Sequence, residues 1–278
     1  KPDVVYVYHP PATVGLAAVV LRALRSCPFV YDVQDLWPDT VGASGMLRNR
    51  YLLALLARLC RAVYTRADRV VVLSPGFQRI LAERGVPPEK MHVIYNWADE
   101  RRIRPAERDE ELAQRLGLAG RFNVMFAGTM GTAQGLDSVL EAARLSLHTA
   151  PQVQYVFVGG GVDRDRLQRQ ASQMCLSNVL FLPHQPIEAM APILALSDVA
   201  LVHLKSDPLF RITIPSKTQA YLAAGRPILM AVSGDAADLV RRSGGGIVAP
   251  SEDPVAIAEA VRQLNAMTRE ELAAMGRK

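Results

Sequence analysis

Long apolar runs, paired cysteines and aromatic-basic tracts are all missing from this chain, and each absence excludes something. No stretch approaches the ~18 consecutive apolar residues that a membrane-spanning helix requires. No signal-peptide pattern is visible. The three cysteines, Cys27, Cys60 and Cys175, are far apart, odd in number and without metal-ligand spacing. That argues against a disulfide framework or a zinc site and for reduced, mostly buried thiols in a cytosolic protein. Basic residues do not interleave with aromatics as they do where single-stranded bases stack, which argues against nucleic acid. The 18 prolines are scattered and form no low-complexity tract. What remains is a chain of 278 residues, half apolar and about a fifth charged, long enough for two α/β domains with separate cores. Its net charge of +5 suits an anionic small ligand, an anionic membrane or nucleic acid, and the sign alone selects none of them.

Strand and helix signals alternate along the chain. Strands are expected at Val4–Tyr8, Phe29–Val33, Arg69–Leu73 and His92–Tyr95, with helices over 13–25, 47–66 and Pro75–Arg84 between them. A charged stretch from Asp99 to Glu111 lacks a core pattern until Leu112 and reads as a linker leading into a surface helix. From Phe122 onward the alternation resumes. The helix from about 136 carries Leu136, Val139, Leu140, Ala143 and Leu147 on one stripe. Further strands are expected at Val153–Val158, 178–182, 198–204 and 227–232, with helices near 163–173, 187–196, 216–224, 236–242 and 253–266. Such repetition predicts parallel sheets with helices on both faces. The expected domains are 1–100, a linker 101–121, and 122–278.

Ligands of open parallel sheets sit at the carboxyl ends of strands, so the loops after strands carry the chemistry. Gly128-Thr129-Met130-Gly131, followed by Gln134-Gly135 before a helix, can bring backbone amides and a helix N-terminus to a phosphate. A tight β-to-α turn without ligand is the equal alternative. Gly159-Gly160-Gly161 reads the same two ways. In Arg211-Ile212-Thr213-Ile214-Pro215-Ser216-Lys217, Ser216 can cap a helix and Lys217 adds a full charge, forming an anion site or a plain helix start. In Gln34-Asp35-Leu36-Trp37-Pro38-Asp39, Asp35 can position or deprotonate a hydroxyl, or merely cap a turn. The helix over 47–69 sets Arg48, Arg50, Arg58, Arg61, Arg66 and Arg69 against one acid, Asp68, beside seven apolar residues. It suits an anionic membrane surface as well as it suits a core helix with a solvated face.

These motifs, in this order, resemble the retaining family-four glycosyltransferases of the GT-B fold. The likeness rests on Gly128-Thr129-Met130-Gly131, Phe157-Val158-Gly159-Gly160-Gly161 and Val179-Leu180-Phe181-Leu182-Pro183. It continues through Ser216-Lys217, Tyr221-Leu222-Ala223-Ala224-Gly225-Arg226-Pro227-Ile228, Ser233-Gly234-Asp235 and Gly246-Ile247-Val248-Ala249-Pro250. In the first half Tyr31 to Asp39, Ala67-Asp68-Arg69-Val70 and Ile94-Tyr95-Asn96 match too, and the look is that of bacterial O-antigen and capsule N-acetyl-L-fucosaminyltransferases.

The resemblance implies an α/β fold of two Rossmann-like doubly wound parallel-sheet domains facing a cleft, the N-terminal one incomplete. It implies transfer of an N-acetylated hexosamine or deoxyhexosamine from a UDP-sugar to a lipid-linked glycan acceptor, with retention and without metal or other cofactor. The setting it implies is surface-polysaccharide synthesis in the cytoplasm, peripheral on the inner membrane face. Donor contacts fall on Gly128, Thr129, Met130, Gly131, Gln134, Gly159, Gly160, Pro183, His184, Arg211, Ser216, Lys217 and Asp235, and the catalytic candidates are Asp35 and Gln34. The family's arginine and lysine on the first donor loop correspond to Thr129 and Gln134 here, its paired glutamates to Ile212 and Ala220, and its N-terminal histidine to Gln34. Backbone amides at 128–131 with Lys217 would then replace the missing charge. The chain is also expected to lack an opening strand and a final crossing-back helix. A non-catalytic nucleotide-sugar-binding protein and a UDP-sugar epimerase are the competing functions.

Overall fold

The computed structural model describes residues 2–43, 47 and 49–278. Contacts divide them into two units, residues 1–96 with Ile212–Ile214, and Trp97–Arg211 with Pro215–Lys278. In the first unit the chain runs β1 (Val5–His9), α1 (Val14–Arg25), β2 (Phe29–Val33), α2 (Asp39–Ala43), α3 (Arg50–Arg66), β3 (Arg69–Val72), α4 (Pro75–Glu83) and β4 (Met91–Val93). The strands form one parallel sheet in the order β1-β2-β3-β4. One register row crosses it through Val7, Tyr31, Val70 and Met91, and all four are buried. β-branched and aromatic residues fill these strands; the inner strands β2 and β3 are covered on both faces, whereas Tyr6 and Tyr8 of the edge strand β1 are exposed.

The second unit runs α5 (Glu110–Arg115), β5 (Phe122–Ala127), α6 (Asp137–Thr149), β6 (Val153–Val158), α7 (Arg164–Gln173), β7 (Val179–Leu182), α8 (Met190–Ala195) and β8 (Val199–His203). It continues through α9 (Pro208–Arg211), α10 (Ser216–Ala223), β9 (Ile228–Ala231), α11 (Asp235–Ser243), β10 (Gly246–Val248), α12 (Pro254–Asn265) and α13 (Arg269–Gly276). Its parallel sheet has the order β10-β9-β8-β5-β6-β7. The chain fills one half of the sheet from β5 to β7, then returns to the other side of β5 with β8. The order reverses between β5 and β8, the place where open sheets leave a crevice. The α6 stripe behaves as its period predicts: Leu136, Val139, Leu140 and Ala143 are buried and Leu147 packs against the same core. There they meet Phe126, Tyr155 and Phe157 of the sheet and Ile257, Val261 and Leu264 of α12.

Three differences from the sequence reading have physical reasons. Residues 101–121, read as a linker leading into a surface helix, cluster with the second unit. Ile103, Ala113 and Leu118 are buried there, and they are spaced too widely for a periodicity test to find. The helix expected over 47–69 is Arg50–Arg66, capped by Asn49, whose side chain accepts from Tyr51 N and Leu52 N. Arg48 lies outside the described residues, and Arg69 begins β3. The short helix α2, the strand β10 and the last helix α13 lie where no element was expected. Of the cysteines, Cys27 and Cys60 are buried and Cys175 is exposed. Among the described residues no helix is long and apolar enough to cross a membrane.

Candidate functional site

Past the ends of β5 and β6 the two glycine loops run against each other as a continuation of the ladder. Gly128 N donates to Val158 O (2.9 Å), Met130 N to Gly160 O (2.7 Å) and Asp163 N to Met130 O (3.1 Å). A Cβ on Gly159 would stand 2.3 Å from Gly128 O, and Gly159 has φ +134°. Glycine is required there by the close approach of two backbones as well as by the dihedral. The sequence allowed this reading, and it changes what the loop offers. Gly131 N is also engaged, by the Gln134 carboxamide oxygen at 3.0 Å. Of the four amides at 128–131, those of Gly128, Met130 and Gly131 are therefore spent inside the unit, and Thr129 N has no partner among the described residues. The Gln134 side chain is likewise part of the loop's own bracing.

A buried histidine holds this loop from the other side. His203, at the end of β8, sets Nδ1 2.5 Å from Gln134 O and Nε2 3.0 Å from Ser138 Oγ. Nε2 also receives Glu252 N at 3.3 Å. A carbonyl only accepts and a backbone amide only donates, so the proton sits on Nδ1 and Nε2 accepts. Burial lowers the pKa of His203 and keeps it neutral.

Lys217 supplies the charge. It is the second residue of α10, and its Nζ has no hydrogen-bond partner among the described residues and no contact with solvent. The nitrogen stands 3.4 Å from the centroid of the Phe126 ring, and a Cβ on Gly128 would be 3.3 Å from it. Burial lowers its pKa from 10.5 to about 7, because a charge without solvent or counter-ion is costly. Lys217 lines a pocket of about 350 Å³ with Gly128, Gly159, His184, Gln185 and an apolar wall. The wall includes Ile187, Met190, Leu194, Ala220 and Tyr221. The Tyr221 hydroxyl accepts from Ala127 N (2.8 Å) and donates to Ala127 O (3.1 Å), fixing the strand end beside Gly128. Ala220 and Tyr221 follow Lys217 by three and four residues, which places all three on one side of α10. Ile187, Met190 and Leu194 are spaced i, i+3, i+7, a stripe that in sequence is indistinguishable from a core face.

The other expected donor residues are distributed around this pocket or away from it. His184 lines it, and Pro183 is exposed just before it at the end of β7. Gly160 is open, with nothing within 4 Å of a Cβ built there. Ser216 does not cap α10: it is the first helical residue, Pro215 occupies the cap position, and no side-chain cap bond forms. Arg211 ends α9, is exposed, and does not line the pocket. Asp235 is buried at the first turn of α11, after Gly234, which has φ +87°.

In the first unit, Gln34 is bound on both sides. Its Nε2 donates to Asp32 Oδ1 at 2.8 Å and its Oε1 accepts from Asn96 Nδ2 at 3.2 Å. The buried Asp32 also accepts from Tyr6 OH at 2.6 Å. Gln34 is thus held as a bridge, and nothing in the residue pattern singles out Asp32 or Tyr6. Asp35 is half-buried, and its carboxyl has no side-chain partner among the described residues. Burial raises its pKa. At the end of β1, His9 is fully buried, and both its ring nitrogens are unpartnered among the described residues. The ring packs against Tyr31 (5.9 Å between centroids) and Trp37 (5.6 Å), and burial lowers its pKa to about 4.

Comparison with known proteins fits this geometry. Residues 1–97 match the family described as Glycosyl transferase 4-like domain, and residues 121–266 match Glycosyl transferases group 1. A probable glycosyltransferase of Pseudomonas aeruginosa, WbjE, is 28% identical over 268 residues, 94% of this chain and 66% of that protein. The putative colanic acid biosynthesis glycosyl transferase WcaI of Escherichia coli is 28% identical over 231 residues, 81% of this chain and 56% of that protein. The chain thus spans no more than about two thirds of these relatives' length. Among solved structures, Anabaena HepE in complex with UDP superposes with a TM-score of 0.79 at 19% identity, over 98% of this chain and 72% of that one. The fold is therefore that of the GT-B glycosyltransferases, built from two Rossmann-like parallel-sheet units, and the match over 121–266 places the chain in the Glycosyl transferases group 1 family.

Proposed function

We propose that the second unit binds a nucleotide-sugar donor, a UDP-sugar, through the pocket at Lys217, and that the chain is the larger part of a glycosyltransferase. The observation that carries this is the Lys217 ammonium, buried without a partner where two glycine loops end. An amine that burial brings to a pKa of about 7 regains its full charge when an anion arrives, so the site is ready for one. A diphosphate placed there returns the counter-charge, and the positive end of α10 adds to it. In transfer, the sugar–phosphate bond breaks and charge grows on the leaving diphosphate. A preorganised cation in a water-poor pocket stabilises that charge without reorganisation. Thr129 N is available as a further donor.

On the first unit, Asp35 is the carboxylate suited to hold or deprotonate an acceptor hydroxyl, since its raised pKa brings it nearer neutral pH. The similarity to WcaI, a putative colanic acid biosynthesis glycosyl transferase, supports an acceptor in polysaccharide synthesis. The finer reading is an N-acetylated hexosamine or deoxyhexosamine, passed with retention to a lipid-linked glycan on the cytoplasmic membrane face. Helix α3 supports the membrane part: Tyr51, Leu52 and Leu55 are 74%, 48% and 51% exposed beside Arg50 and Arg58. Apolar anchors with arginines suit an anionic lipid surface. The test is calorimetric titration with UDP and UDP-N-acetylhexosamines, followed by transfer to a lipid-linked acceptor with NMR of the new anomeric centre. Absence of UDP binding would remove the donor assignment, and an inverted product would remove retention.

A further inference from the structure

We infer that the Lys217 pocket does not read the ribose hydroxyls of its nucleotide, so that 2′-deoxyribonucleoside diphosphates enter it on nearly equal terms with ribonucleotides. The inference rests on the donor reading above and concerns the substrate class of the same site. With the diphosphate at the ammonium, the nucleoside must lie along the rest of the pocket. Its volume of about 350 Å³ is within the range of small-molecule sites.

Recognition of a ribose diol needs a fixed acceptor, and in nucleotide-binding sheets a carboxylate at the site supplies it. Among the described residues lining this pocket there is no aspartate or glutamate. Several of the polar groups in or beside the pocket have other partners or other places. The Tyr221 hydroxyl is spent on Ala127 N and O. The Gln185 amide nitrogen turns back to Pro183 O at 3.3 Å. Lys217 only donates, and its nitrogen stands over Phe126. Glu188, beside the wall residue Ile187, has its side chain 66% exposed and faces Arg102 at 3.8 Å. On α10 the position that follows Lys217 on the pocket side is Ala220, a methyl group.

Selectivity for a hydroxyl is large only where buried groups are left unpaired by its loss. A site built around such a bond rejects the analogue by about 10⁴-fold, whereas an apolar wall discriminates weakly in either direction. The base is a separate matter, since His184 and the backbone of 183–185 remain available to it.

The experiment is isothermal titration of the chain with UDP, dUDP and dTDP in one buffer, and of the Ala220→Glu variant with UDP and dUDP. Expected are Kd values for UDP and dUDP within about tenfold of each other. The variant should move that ratio at least tenfold in favour of UDP, because it places an acceptor beside the ribose. A dUDP affinity more than tenfold below that of UDP overturns the inference while leaving the donor pocket intact. So does a variant that binds UDP with an unchanged ratio. If neither nucleotide binds the unaltered chain, the donor reading itself fails, and this inference with it.

Discussion

Replacing Lys217 with methionine sets stability against binding in a way that only an unpaired buried charge can explain. Burial takes the lysine from its ordinary 10.5 to about 7, which corresponds to about 5 kcal/mol of unfavourable charge burial. The Phe126 face returns part of this, about 2 kcal/mol for a desolvated cation over a ring. A net cost of roughly 3 kcal/mol remains in the unliganded protein. Methionine keeps the unbranched stem and the contact with the ring while removing the charge. The variant's second unit should therefore unfold about 6–12 °C higher than the parent at pH 7. The sign with pH is fixed as well. Between the lowered folded pKa and 10.5 the unfolded chain holds a proton that the folded chain lacks, so parental stability rises with pH across that window. The methionine variant should not show that rise. UDP should behave oppositely: at a hundred times Kd it should stabilise the parent by about 2.7 kcal/mol, and the variant hardly at all. The assay is thermal unfolding by circular dichroism from pH 6.5 to 9.5, with and without UDP. A variant that is less stable than the parent, or that keeps the UDP shift, refutes the reasoning.

Three further outcomes follow from the same structure. Gly159→Ala places a methyl group 2.3 Å from Gly128 O at φ +134°, so urea unfolding should show a loss of about 3 kcal/mol or more. His9 is buried neutral, with its pKa lowered from 6.5 to about 4. The first unit should therefore lose up to about 3 kcal/mol as pH falls from 6.5 to 4, and His9→Phe should flatten that part of the stability profile. Reversing Arg50 and Arg58 to glutamate on α3 should weaken co-sedimentation with vesicles containing anionic lipid at least about tenfold, and leave UDP affinity unchanged. Equal binding by the reversed variant would remove the membrane role of that helix.

Much of the architecture is legible in the residues themselves, because the relevant forces are local and periodic. Phe29–Val33 and Val153–Val158 form strands with those bounds, and the α6 stripe faces the core its spacing predicts. The alternation of such segments determines parallel sheets on its own, since parallel strands need crossover helices. The glycines at 128, 159 and 161 likewise announced a special backbone at the strand ends. Which special backbone it is depends on tertiary structure. Only the register of β5 against β6 shows that Gly159 and Gly161 stand against the carbonyls of Gly128 and Met130, and that the amides of Gly128 and Met130 are already paired. Gln134 and Gln34 look like free polar groups in sequence; the first braces its own loop at Gly131 N, and the second becomes a bridge because Asn96 arrives from a distant segment. Lys217 is the converse case. Its sequence context suggests a solvated lysine at a helix start, and it is the packing of Phe126 and Gly128 around Nζ that removes water and makes it a site.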